Sequence, residues 1–176
     1  MKKDYVLLSS IKKFGVVPGK KALHKINYFI NLKTDLFIYE WSNWGPFSQE
    51  VRQFYDDAYL ENIISVNEGI LGNSSIQYNI QLDQKGFNTL KNLENDLNLN
   101  KETIDNAINF SYELLKDMTP RQMEILASVH YINSYDNSLN ADRIWKIINR
   151  LKPTANFSLD DVKVALEKLK EKKLLK

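Results

Sequence analysis

Outside residues 36–82, the apolar residues of this chain recur at helical spacing almost without interruption. The stretch from Val6 to Phe14 is an early example in the 176-residue sequence. Apolar positions three and four residues apart fall on one face of an α-helix, whereas a half-buried strand needs strict alternation. The spacing therefore predicts a mainly α-helical protein whose few short strands lie between residues 36 and 82.

Start and stop signals accompany this spacing along the chain. Ser48 and Ser158 are suitable N-caps, and Thr119 stands before Pro120, where proline favours the first helical position. Gly15 is placed to end the first helix. Together the signals predict eight helices that begin near residues 4, 20, 48, 83, 103, 119, 142 and 158.

The predicted strands lie among these helices. Residues 36–41 are rich in β-branched and aromatic side chains, which is typical of a strand. Residues 44–47, Trp-Gly-Pro-Phe, then predict a tight turn. Residues 63–66 and 76–82 predict a hairpin, because turn residues at 67–69 and 72–74 separate them.

The order helix, helix, strand, helix and hairpin is that of a winged helix. It predicts a winged-helix-like N-terminal unit with a small β-hairpin over residues 1–95. Residues 96–176 predict a C-terminal helical, helix-turn-helix-like unit. The sequence leaves open whether the two units share one core.

Several motifs in this order resemble a known family. Residues 19–29, Gly-Lys-Lys-Ala-Leu-His-Lys-Ile-Asn-Tyr-Phe, resemble a conserved helix of the YwgA-like group, except that His24 stands where the group usually has glutamine. Residues 39–41 and 44–48, with Val51, resemble its aromatic Gly-Pro-aromatic-Ser turn. Residues 119–131 and the closing leucine-containing helix also fit. This group is related to the Panacea (SocA-like) antitoxin domain.

The resemblance implies a helical, winged-helix-like fold and a role in binding. Relatives of the group neutralise toxins by direct contact or hand a partner protein to a protease. We therefore expect a non-enzymatic binding protein that engages a protein partner, as an antitoxin or an adaptor. The alternative is a winged-helix transcriptional regulator that binds DNA.

Composition limits the remaining function classes. The chain contains no cysteine, so disulfides, thiolate metal sites and cysteine nucleophiles are excluded. The start of the sequence has no long apolar core behind its lysines, and no stretch is apolar enough for a membrane span. A cytoplasmic protein that contacts no membrane is the expectation.

Catalytic signals are weak. His24 and His130 are the only histidines, and neither has a second histidine at the spacing of a zinc site. Ser48 lacks the glycines of a nucleophile elbow and is better explained as a helix cap. We expect no enzyme activity, no cofactor and no metal site.

Charge is unevenly distributed, although the net charge is only +2. Residues 1–33 contain eight lysines against one aspartate, and residues 34–61 contain six acidic residues against one arginine. The two segments could neutralise each other within the molecule, or the basic segment could contact an anionic partner.

A partner-binding surface is predicted beside the first strand. Alternation places three aromatic side chains on one strand face, and the neighbouring helix adds acidic residues. Such a mixture suits a basic protein partner, and a free strand edge could also pair with it. The alternative is that the rings are core and the acids pair with Lys20, Lys21 and Lys25. The candidate residues are Phe37, Tyr39, Trp41, Trp44, Glu50, Asp56 and Asp57.

Duplex DNA is the alternative partner. The third helix would enter the major groove of a winged-helix complex, yet it has several acids and only Arg52 as a cation, so phosphates would repel it. Basic residues elsewhere could contact the phosphate backbone weakly. These candidates are Lys12, Lys13, Lys20, Lys21, Arg143, Lys146 and Arg150.

Overall fold

The computed structural model describes residues 1–70, 76–95 and 100–175. Over these residues the protein has eight α-helices and two separate two-stranded antiparallel sheets. In chain order the elements are α1 (Lys2–Phe14), α2 (Gly19–Thr34), β1 (Glu40–Ser42), β2 (Gly45–Phe47), α3 (Gln49–Leu60), β3 (Ile64–Ile70), β4 (Ile76–Leu82), α4 (Gln84–Asn95), α5 (Lys101–Leu115), α6 (Pro120–Tyr135), α7 (Ala141–Leu151) and α8 (Leu159–Glu171).

The prediction of a mainly α-helical fold with a small β-hairpin is confirmed. The predicted caps explain where several helices begin. The Ser48 hydroxyl accepts a hydrogen bond from the backbone N–H of Val51, and Thr119 and Ser158 each form a capping box. The hairpin is formed by β3 and β4, and the turn predicted at residues 72–74 lies outside the described residues.

The strand predicted over residues 36–41 is wrong for its first four positions, since β1 begins at Glu40. The side chain of Asn31 binds this segment to the end of α2 instead. Its Oδ1 accepts hydrogen bonds from the N–H groups of Leu36 and Phe37 at 2.7 Å, and its Nδ2 donates to the Phe37 carbonyl. The predicted turn is also shifted, because residues 45–47 form β2 and pair with β1.

One hydrophobic core runs through the described residues, from Tyr5 in α1 to Leu169 in α8. Helix α2 is central, because it packs against α1, α3, α5 and α6. The apolar faces predicted for α2 and α3 are buried as expected, with only Phe54 half-buried. The helices on both sides of residue 95 therefore contribute to the same core.

None of the helices in the described ranges is long and apolar enough to cross a membrane.

Candidate binding cleft

A backbone bridge brings the β3–β4 hairpin to the start of α2. Val17 donates to the Ile80 carbonyl at 2.9 Å, and Ile80 donates to the Val17 carbonyl at 2.8 Å. Gly19 follows with a positive φ of 89°, a conformation that glycine adopts without strain. A cleft of about 960 Å³ opens between this hairpin, α3 and the first turns of α2 and α6. We call it the hairpin cleft.

Apolar side chains form the floor of the hairpin cleft. Tyr59 from α3 is 52% exposed, and Ile76 and Tyr78 from β4 are 58% and 51% exposed. Tyr59 also stacks on Tyr55, with the two rings only 5° from parallel. Large apolar side chains that converge on one concave surface are typical of a binding site.

Three cations line the same cleft. Lys20 pairs with Asp56 at 3.3 Å and lies 4.0 Å from the centre of the Tyr55 ring. Arg121 pairs with Asp161 at 3.6 Å and donates to the carbonyls of Ala155 and Asn156, so it also fixes the loop after α7. Lys21 has no ion pair with any residue that the structure describes.

A smaller pocket of about 370 Å³ adjoins the hairpin cleft at Lys20, Lys21 and Tyr55. We call it the Lys21 pocket. It lies between α2, α3 and the β1–β2 hairpin, and its walls include Trp44 and Phe47. Lys25 lines it from α2.

Lys25 is only 1% exposed, whereas the alternative prediction treated it, with Lys20 and Lys21, as a partner for the acids of the next helix. The β1–β2 hairpin covers it, and its Nζ donates to the Pro46 carbonyl at 2.7 Å. Gly45 allows the hairpin to lie close to α6, because a Cβ there would lie 2.5 Å from the Ser128 Oγ. Burial, assisted by the charges of Lys152 and Lys21, lowers the pKa of Lys25 to about 7.

His24 lies beside Lys25 and packs in the interior. Its ring stacks on Phe47 at 4.5 Å, and its Nδ1 accepts a hydrogen bond from the N–H of Ser48. Burial and then the charges of Lys25, Lys20 and Arg52 lower the pKa of His24 to about 3, so the ring is neutral at pH 7. His130 is likewise buried, and burial lowers its pKa to about 4.

A third cavity continues the cationic region on the other side of Trp44. Lys21, Trp44 and Arg121 line it together with Lys152 and Glu124. Lys152 is only 4% exposed and forms an ion pair with the Glu124 carboxylate. Lys21 therefore lies where all three cavities meet.

The four aromatic residues predicted for the partner surface lie apart. Phe37 and Tyr39 precede β1, so the prediction that they share a strand face with Trp41 is wrong. Phe37 is buried, and the Tyr39 hydroxyl donates to the His24 carbonyl. Trp41 packs against Tyr131 with its indole N–H lacking a partner among the described residues. Only Trp44 is exposed, at 49%.

The acidic residues predicted for that surface are also separated from Trp44. Glu50 pairs with Lys3 and accepts a hydrogen bond from the N–H of Ile38. Asp56 pairs with Lys20 and Arg52, and Asp57 accepts from Gln53. Of the three lysines in the alternative prediction, Lys20 therefore pairs with one of these acids, Asp56. Among the described residues, Lys21 and Lys25 pair with none of them.

The cations predicted for DNA are distributed over several elements. Lys12 pairs with Glu94 of α4, and Lys13 lies over the Tyr112 ring of α5. Arg143, Lys146 and Arg150 belong to α7. Of the seven candidates, Lys20 and Lys21 line the hairpin cleft.

Sequence reasoning did not select the apolar floor of the cleft, Lys25 as a pocket residue, or Arg121. The alternation over residues 76–82 indicated a strand, but it contained no signal for the surface that the strand faces. The available signal was the pair Lys20-Lys21 directly after Pro18-Gly19, and both lysines line the Lys21 pocket.

Within the residues that the structure describes, no group of three or more His, Asp or Glu side chains could hold a metal ion. Comparison with models of known protein families gave no match. Comparison with curated proteins gave none either.

Proposed function

We propose that this chain is a non-enzymatic binding protein whose hairpin cleft holds a segment of a partner protein that carries both apolar and acidic side chains. The observation that supports this most is the combination of an exposed apolar floor with a cationic rim in one cleft. Tyr59, Ile76 and Tyr78 would contact the apolar side chains of the segment.

Charge complementarity selects an acidic segment. Lys21, in the first turn of α2, has no ion pair among the described residues, while Lys20 beside it and Arg121 in the first turn of α6 are exposed members of ion pairs with Asp56 and Asp161. Glu68 is the acidic residue among those that line the cleft. Opposite charges across an interface speed association and select partners, while buried aromatic contacts provide most of the affinity.

The resemblance to the YwgA-like group suggests the biological setting of this contact. Its better-understood relatives act by direct protein contact, as antitoxins or as adaptors for proteolysis. We include that role in the proposal.

Selection from a library of short random peptides displayed on phage tests the proposal. We expect the selected peptides to share an apolar anchor flanked by acidic residues. The variant Tyr59→Ser/Ile76→Ser should bind them at least about 30-fold more weakly, since a hot-spot side chain contributes about 2 kcal/mol.

Val164→Ser is the matched control, because Val164 is an exposed apolar residue of α8 outside the cleft. It should bind the selected peptides like the wild type. Basic or uncharged consensus peptides, or equal binding by the two variants, would contradict the proposal.

Duplex DNA is a second candidate because Lys20 and Lys21 are close together at the mouth of the cleft. Binding to DNA through these cations alone should be weak, insensitive to sequence and lost as salt rises. A fluorescence-anisotropy titration of duplex DNA at two salt concentrations tests this candidate.

A further inference from the structure

Positive charge exceeds negative charge around the Lys21 pocket. Lys25 lies inside it with a carbonyl oxygen as its hydrogen-bond acceptor, and Lys21 lies at its mouth. Neither lysine has a carboxylate partner among the described residues. A buried charge without a counter-charge is costly, so such groups are usually found at functional sites.

We infer that the Lys21 pocket binds the phosphate monoester of a phosphorylated side chain in the partner segment, with Lys21 at its mouth and Lys25 at its base. For the source of the phosphate this inference rests on the proposed function. The inference that the pocket binds a phosphate group does not depend on the proposed function.

The neighbouring cations each have an acidic partner, although Lys20 and Arg52 share one, whereas Lys21 and Lys25 have none among the described residues. Lys20 and Arg52 both pair with Asp56, at 3.3 and 3.7 Å. On the far side, Lys152 pairs with Glu124. Two unmatched lysines suit a doubly charged group, and a phosphate monoester carries close to two negative charges near neutral pH.

The start of α2 also favours an anion. Pro18 offers no side-chain cap, and the first turn contains no acidic residue. Helix N-termini normally attract negative charge, yet Lys20 and Lys21 occupy this one. An anion at the Lys21 pocket would interact favourably with these lysines.

The position of the pocket indicates a phosphate attached to a protein. Lys20, Lys21 and Tyr55 line both the Lys21 pocket and the hairpin cleft, so the two spaces share a wall. A segment lying in the cleft could therefore place one phosphorylated side chain in the pocket. Trp44, Phe47 and Tyr55 would cover its carbon atoms.

Isothermal titration calorimetry with inorganic phosphate tests the pocket directly. We expect saturable binding at one site, stronger than that of acetate. The variant Lys21→Gln should weaken it by about tenfold or more, because one of two charge-assisted contacts is lost.

Lys33→Gln is the matched control, since Lys33 lies in the last turn of the same helix and the change in charge is identical. Binding by Lys33→Gln should equal that of the wild type. Non-saturable binding, or equal losses in the two variants, would overturn the inference.

A second arm identifies the source of the phosphate. An acidic peptide selected for the hairpin cleft is synthesised with and without one phosphoserine, and adenosine monophosphate is titrated in parallel. Tighter binding of the phosphopeptide, abolished by Lys21→Gln, is expected. Tight binding of the nucleotide with no gain for the phosphopeptide would overturn the protein-bound source.

The two proposals fail in different ways. Tyr59→Ser/Ile76→Ser should lose the peptide but keep inorganic phosphate. If no peptide is selected at all, the proposed function fails while the phosphate titration still decides the pocket.

Discussion

The regions around Lys25 and Lys152 hold two buried lysines in different ways. Lys152 follows α7 and forms an ion pair with Glu124 of α6. Lys25 lies in α2, where its Nζ donates to the Pro46 carbonyl and has no carboxylate partner among the described residues. In the first region a carboxylate neutralises the lysine, whereas in the second the lysine has only a carbonyl oxygen as acceptor and an external anion could supply the missing counter-charge.

This difference separates a structural lysine from a binding one. Removing one member of a buried ion pair leaves the other charge uncompensated, which is strongly destabilising. Removing a buried charge that has no counter-charge also removes its desolvation cost, so stability is retained or rises. Replacing Lys152 should therefore lower stability, whereas replacing Lys25 should weaken anion binding with little loss of stability.

Replacing each lysine by methionine should give the largest effect among the tests of this comparison. Lys152→Met should lower the free energy of unfolding by about 3–5 kcal/mol, because Glu124 stays buried without a cation. Lys25→Met should not lower it by more than about 1.5 kcal/mol at neutral pH and could raise it, since the one hydrogen bond lost is offset by the desolvation cost removed with the ammonium. Urea denaturation measures both, and equal losses would contradict the distinction between the two regions.

The pH dependence of stability is a second test of the comparison, and its expected effect is smaller. Burial lowers the pKa of Lys25 to about 7 in the folded protein, whereas an unfolded lysine has a pKa of about 10.4. Between these values the unfolded chain binds a proton that the folded chain does not. The free energy of unfolding should therefore rise as pH increases, by roughly 2 kcal/mol between about pH 7 and about pH 9.

Lys25→Met is the control for this dependence. The variant should lack the part of the rise that Lys25 contributes, so the stability of the wild type relative to the variant should increase towards high pH. Parallel curves for the two proteins would mean that Lys25 is charged in the folded state at both pH values.

Most helices could be predicted because their signals are local. Ser48, Thr119 and Ser158 start helices through hydrogen bonds to residues three positions away. The segment from 36 to 39 was misassigned because the Asn31 side chain occupies its backbone groups. That interaction competes with strand pairing, and strand propensity contains no information about it.

The candidate site was less predictable because distant residues build it. The Val17–Ile80 bridge joins the hairpin to α2 and thereby creates the cleft. The sequence treats Lys20, Lys21 and Lys25 alike as lysines near the start of α2, yet the β1–β2 hairpin covers Lys25 alone. Trp44 is exposed, but the residues that line the cavities beside it are mainly cations, with Glu124 as an acid among them, and not the acids of α3.

The pKa of Lys25, measured by NMR on isotope-labelled lysine with and without saturating inorganic phosphate, tests the central claim most directly. We predict a pKa of about 7 in the free protein. Bound phosphate should raise that pKa, because a nearby anion favours the charged ammonium. A pKa near the ordinary lysine value in the free protein, or no change on saturation with phosphate, would contradict the claim that Lys25 is an unmatched charge at an anion site.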